Sequence, residues 1–291
     1  MMKQILVIGS EGQLGQKMKA LHQGFSSAEF TFTSIETLNV TDDKQIADTI
    51  GSKSFDYIIN CTAYTAVDKA EEDKALAFKI NSDALSLIGE AAAKINAKVI
   101  HVSTDYVFDG KSHKPYVETD QTAPQSVYGE SKLAGEQNLL NNNPQSIIIR
   151  TSWLYSEYGI NFVKTMLRLG NERDQLGVIF DQIGTPTYAG DLAETILHII
   201  KADINSTIPF NPGIYHYSNE GVASWYDFTL AIHNEAGINC KVNPIETKDY
   251  PTPAPRPSYS VLNKAKIKEL YHIEIPHWLT SLKKCLAALK N

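Results

Sequence analysis

Five short apolar runs, each separated from the next by helical pattern, constrain the first half of this chain more than any other feature. "QILVIG" (4–9), "FTFTS" (30–34), "DYIINCTA" (56–63), "AKVIHVST" (97–104) and "SIIIRTS" (146–152) have the length and β-branched content of buried strands. Between them "QLGQKMKALH" (13–22), "DDKQIADTIG" (42–51), "NSDALSLIGEAAAKIN" (81–96) and "KLAGEQNLLN" (132–141) read as helices. Parallel strands need crossover connections, and a helix is the crossover that also covers the sheet, so this alternation predicts an α/β fold with a doubly wound parallel, Rossmann-type sheet.

The rhythm breaks after residue 152. Segments 161–171, 189–202 and 224–237 look helical, 213–219 looks like a strand, and the proline-rich "YPTPAPRPSYS" (250–260) is an ordered loop or a linker, since proline suits neither a helix interior nor a central strand. The expected division is a dinucleotide-binding domain over 1–152, taking in about 174–212 as well, and a smaller α+β substrate-binding lobe from 153–173 and 213–291.

"GSEGQLG" sets Gly9, Gly12 and Gly15 between the first strand and the first helix. Glycines there allow a tight turn, close approach of backbone to a pyrophosphate and close helix–strand packing, with the helix N–H groups facing the anion. The spacing is G-x-x-G-x-x-G, and Glu11, unwelcome beside a phosphate, is expected to face solvent. At the end of the second strand an acid would accept from a ribose hydroxyl and an arginine would pair a 2′-phosphate. Here Ser34 and Glu36 stand there with no basic residue before Lys44, so NADPH and NADH both remain open.

"VYGESKLAGE" (127–136) places Tyr128 four residues before Lys132, on one face if the segment is helical. Upstream, "VSTDYVFDG" puts Thr104 at the carboxyl end of a buried strand, where open α/β sheets bind ligands. A hydroxyl, a phenol and an ammonium thus converge behind a glycine loop. Arg256 lies in the proline-rich loop, where a fixed backbone can present its guanidinium to a diphosphate.

The glycine loop, Thr104 and Tyr128-x-x-x-Lys132 together resemble the extended short-chain dehydrogenase/reductase superfamily. "NCTAYTAVDKAEED", "STDYVFDG", "DQIGTPT" and "PRPSYS" more narrowly resemble the dTDP-4-dehydrorhamnose reductases, a likeness running from residue 3 to about 285. The resemblance implies reduction of a sugar ketone, with Tyr128 as acid, its pKa drawn down by the Lys132 ammonium, and Thr104 bonding the substrate oxygen. It implies that Lys132 also holds the nicotinamide ribose. It places Asn39 and Val40 near the adenine, lines the cofactor with Ala63, Tyr64 and Thr65, and counts Gln13, Leu14, Ser34 and Ser103 among the cofactor positions. Asp105 and Trp153 match sugar-contacting positions. A 4,6-dehydratase would carry Asp-Glu after the threonine; here Asp105 is followed by Tyr106, which favours simple reduction. Another nucleotide-sugar ketoreductase or epimerase, or a noncatalytic NADP-binding subunit like the regulatory subunit of methionine adenosyltransferase, is the rival reading.

The net charge of −6, with scattered basic residues, leaves no footprint for nucleic acid or an anionic membrane. Cys61, Cys240 and Cys285 fit neither a disulfide framework nor a zinc site, and the histidines lack ligand spacing, so no metal is expected. The apolar run before Gly9 is too short for a signal-peptide core. The expectation is a cytoplasmic enzyme, monomeric or homodimeric, acting on a dTDP-linked nucleotide sugar.

Overall fold

The computed structural model describes residues 2–290. Strands β1 (Lys3–Ile8), β2 (Ala28–Thr33), β3 (Tyr57–Asn60), β4 (Lys98–Thr104) and β5 (Ser146–Thr151) pair in parallel with a later strand, Gly213–His216, in the order Gly213–His216, β5, β4, β3, β1, β2. The strand order reverses between β1 and β3, so the crevice outside their carboxyl ends is where such a sheet takes its ligand.

Side chains alternate across each strand, and both faces are covered. Ile5, Val7, Ile59 and Ile100 pack beneath the helices Gln13–Leu21 and Ala189–Ile204. Leu6, Ile8, Ile58 and Val99 pack on the other face, beneath Asp43–Gly51, Ala84–Lys94 and Val127–Asn142. Burial on both faces explains why these strands read as continuous apolar runs.

A separate core, including Tyr155, Val163, Leu176, Phe228 and Trp278, holds the second lobe together. Its helices Phe162–Glu172 and Trp225–Ala236 start at side-chain caps, Asn161 and Ser224, the latter in a reciprocal capping box with Asp227. Segment 250–260 forms neither a helix nor a ladder strand.

The chain passes between the lobes more often than the expected division allowed. Gly213–His216, expected to open the smaller lobe, completes the main sheet against β5. The helix Ala265–Tyr271 returns Ile267 and Tyr271 to the main core. In the other direction, Gln175–Ile179 pairs with Lys241–Ile245 in a two-stranded sheet of the smaller lobe. These crossings are decided by pairing partners far apart in sequence, which composition does not mark.

Candidate active site

The turn after β1 takes a form that only glycine accepts easily. Gly9 has φ of +79°, and a Cβ on Gly15 would lie 2.3 Å from the Gly9 carbonyl oxygen. Gly12 precedes the helix Gln13–Leu21 with no side-chain cap, so the first N–H groups of that helix remain free to meet an anion. Glu11 is exposed, as expected. Leu14 is buried beneath the helix, and Gln13 Oε1 accepts from Ser156 and Asn161, tying the loop to the second lobe. Ser10 Oγ beside the turn is buried with no protein partner. A crowded backbone turn with an uncapped helix and an orphaned hydroxyl fits a dinucleotide pyrophosphate.

Ser34 follows β2 and its Oγ accepts from the Glu36 amide. Ile35 and Glu36 are exposed, and no arginine stands in this corner. Asn39 Oδ1 accepts from Thr41, and Val40 is buried against Ile46 in the core below. Beyond β3, Ala63 and Tyr64 are half-buried and Thr65 is exposed at the rim of a cleft. Ser103 and Thr104 end β4, Asp105 opens the turn after it, and all three are buried; Ser103 Oγ and Asp105 Oδ2 lack protein partners.

Tyr128 and Lys132 lie on a single helix, Val127–Asn142, capped by Ser126, whose hydroxyl accepts from the Gly129 amide. The sequence reading began that helix at Lys132; the Ser126 cap starts it five residues earlier and sets phenol and ammonium one turn apart. Both side chains are buried, and the Thr104 hydroxyl lies close enough to the Tyr128 phenol to favour its charged form. Thr104 also donates to Asp105 Oδ1 at 3.0 Å. Burial lifts Asp105 to about 6, with the nearby Ser260 and Thr104 hydroxyls pulling only partly back.

One expectation changes. Lys132 does not draw the Tyr128 phenol toward neutrality in this structure: burial pushes Tyr128 well above its ordinary value, with the Thr104 hydroxyl pulling only partly back. The upward shift favours the protonated phenol, the state an acid requires. It is Lys132 that moves toward neutrality, lowered by burial to about 7, with Glu136 opposing.

A cleft of about 1050 Å³ opens beside this group, large enough for a nucleotide sugar. Tyr106 links the two: its ring meets the Tyr128 ring edge-on at 5.4 Å, and it lines the cleft. Trp153, at φ of +51°, holds a conformation that costs a bulky residue strain, and its ring stacks on Trp225 at 3.5 Å. Trp225 was not singled out from the sequence; the aromatic run "SWYDF" was its one signal. Arg256 also lines the cleft, but it is not the free cation the loop suggested. Its Nη2 donates to Asp68 at 2.6 Å, and its Nη1 is buried without a protein partner.

Among the described residues no group of three or more His, Cys, Asp or Glu is disposed to hold a metal ion, and no helix is long and apolar enough to cross a membrane.

Comparison with known proteins covers the whole chain. The family model for the RmlD substrate binding domain matches residues 2–291. A dTDP-4-dehydrorhamnose reductase of Aggregatibacter actinomycetemcomitans is 43% identical, over 97% of this chain and 98% of its own. The crystal structure of a dTDP-4-dehydrorhamnose reductase from Clostridium acetobutylicum superposes with a TM-score of 0.93 at 40% identity, covering 99% of this chain and 100% of that one. The reductase from Bacillus anthracis, solved in complex with NADP, gives 0.92 at 34% identity, again over 99% and 100%.

Proposed function

The chain belongs to the family of the RmlD substrate binding domain, that of the dTDP-4-dehydrorhamnose reductases, and on that premise we propose that it reduces the 4-keto group of dTDP-4-dehydro-L-rhamnose to dTDP-L-rhamnose. This is the last step in making that sugar nucleotide for cell-surface polysaccharide. The observation that carries the reading is the buried group of Thr104 and Tyr128, with Lys132 one turn along the same helix, joined through the Tyr106 ring to a nucleotide-sized cleft.

The turn at Gly9, Gly12 and Gly15 holds the pyrophosphate through backbone N–H groups, with Gln13, Leu14 and the orphaned Ser10 hydroxyl beside it. Ser34, Asn39 and Val40 receive the adenosine end, and Ala63, Tyr64, Thr65 and Ser103 line the remainder. When bound, NADPH or NADH supplies the hydride. Ser34 and the absence of a well-placed acid favour NADPH modestly, by the hydroxyl Ser34 offers a 2′-phosphate.

Tyr128 donates its proton to the oxygen of the ketone as negative charge develops there. Thr104 orients that oxygen by a second hydrogen bond. Lys132, one turn along the helix from the phenol, holds the nicotinamide ribose. Asp105 and Trp153 contact the sugar, and Arg256 offers its unpaired Nη1 to the diphosphate while Asp68 keeps the guanidinium in place. The three free thiols suit a reducing cytoplasm, where we place the enzyme as a monomer or homodimer.

The test is to mix the protein with NADPH and dTDP-4-dehydrorhamnose and follow loss of nicotinamide absorbance. Steady consumption with formation of dTDP-L-rhamnose is expected. No consumption, beside an active control enzyme, overturns the assignment.

A further inference from the structure

Lys132 does not end in solvent. Its Nζ lies 2.9 Å from His101 Nε2 and 2.8 Å from the Val102 carbonyl oxygen, and lysine and imidazole are both sealed from water, at 1% and 0% exposure. Across the ring, His101 Nδ1 lies 3.1 Å from Asn60 Nδ2. Asn60 Oδ1 in turn accepts from the Thr62 amide at 3.1 Å and from the Thr62 hydroxyl at 2.6 Å.

These contacts fix the protons. A backbone amide only donates, so the oxygen of the Asn60 amide must face Thr62 and its amino group must face His101. His101 Nδ1 then accepts, and a neutral imidazole carries its one proton on Nε2. That N–H points at Lys132. An amine lone pair receives it, whereas an ammonium, which has only donors, opposes it.

Building on the reading of Lys132 as a member of the catalytic group with Tyr128 and Thr104, we propose that Asn60 and His101 form a tautomer lock that poises Lys132 between its ammonium and amine forms. Turnover needs the ammonium; in the amine form the lone pair on Nζ faces the waiting Nε2–H. His101 is a positioning residue here, acting on the reaction only through Lys132.

The surroundings agree. Burial and the Lys132 charge hold His101 well below its usual value, so the ring stays neutral. Glu136, the carboxylate that would favour the ammonium, is claimed by Arg150 through three short contacts of 2.9, 3.2 and 2.6 Å. The other titratable groups nearby are Tyr128 on the same helix and Asp105 and Tyr106 on the turn after β4; Glu71 and Lys74, from the helices packed outside, engage Val127 and Glu130 at its far end. The lock is also seated on the glycine turn, since a Cβ on Gly9 would lie 2.7 Å from Thr62 Cγ2.

The direct test is long-range proton–nitrogen correlation on the full chain labelled with ¹⁵N-histidine, His101 being assigned by the signal lost in His101→Gln. A bare Nδ1 and a protonated Nε2 between about pH 6 and 9 are expected. A protonated Nδ1, alone or with Nε2, overturns the proposal. In Asn60→Asp the carboxylate accepts from both Thr62 and Nδ1–H, so the tautomer reverses, Nε2 accepts from the ammonium, and the pH above which kcat falls should rise by about one unit or more. An unmoved limb with a reversed tautomer also overturns it. The tautomer is read without substrate or coenzyme, so failure of the lock and failure of the reductase assignment appear in different experiments.

Discussion

The glycine-turn wall of the sheet and the cleft wall of the second lobe are built on different principles. On the sheet side, backbone does the work: a turn closed so tightly that Gly15 meets the Gly9 carbonyl, and strand ends held in register by parallel pairing. On the other side, side chains do it: Trp153 stacked on Trp225, and a proline-rich loop pinned by Arg256 to Asp68 across 188 residues of chain. Backbone geometry admits one shape and suits the invariant pyrophosphate of a dinucleotide. A wall of side chains is replaceable piece by piece and suits the part of the ligand that varies between related enzymes.

Breaking the wall-to-wall contrast at its centre should have the largest effect. Lys132→Met removes the buried amine one turn from the phenol and, with it, the proposed ribose contact, so kcat should fall by about 10²-fold or more and coenzyme affinity should weaken with it. Steady-state kinetics with a coenzyme titration check both. Next comes the sheet wall. Gly15→Ala forces a methyl group against backbone, with an expected cost of about 1–3 kcal/mol in stability and a matching loss of coenzyme binding, read by denaturant unfolding and coenzyme fluorescence. The side-chain wall should yield more selectively. Arg256→Ala should weaken the sugar nucleotide by about 1.5–3 kcal/mol while leaving coenzyme affinity near its parental value. Equal losses for both ligands would erase the distinction between the walls. The smallest effect is expected from Ser34→Asp, which should shift preference toward NADH by about 1 kcal/mol, measured as the ratio of kcat/KM for the two coenzymes.

The same division decides how much could be read from the sequence. The five leading strands, the glycine turn and the Tyr128/Lys132 pair are local signals: each is a run, a spacing or a cap within a few residues. Buried strands such as β5 announce themselves because both faces are covered. The second lobe does not. Its small sheet joins Gln175–Ile179 to Lys241–Ile245, and the main sheet is finished by Gly213–His216, which reads as a strand but not as a partner of β5, so neither pairing is visible to a window of neighbouring residues. Arg256 shows the same limit, since its partner Asp68 lies in a helix of the other half. His101 was legible only as a polar residue amid an apolar run; that it meets Lys132 and Asn60 is a fact of three-dimensional packing.

The account stands most directly on the phenol. Tyr128→Phe keeps the ring's packing against Tyr106 and removes only the proton donor, so folding and coenzyme affinity should survive. With a deuterated coenzyme showing that chemistry limits the rate, kcat for reduction of dTDP-4-dehydrorhamnose should fall by at least about 10²-fold. A variant that keeps more than about a tenth of parental turnover under those conditions would contradict Tyr128 as the acid.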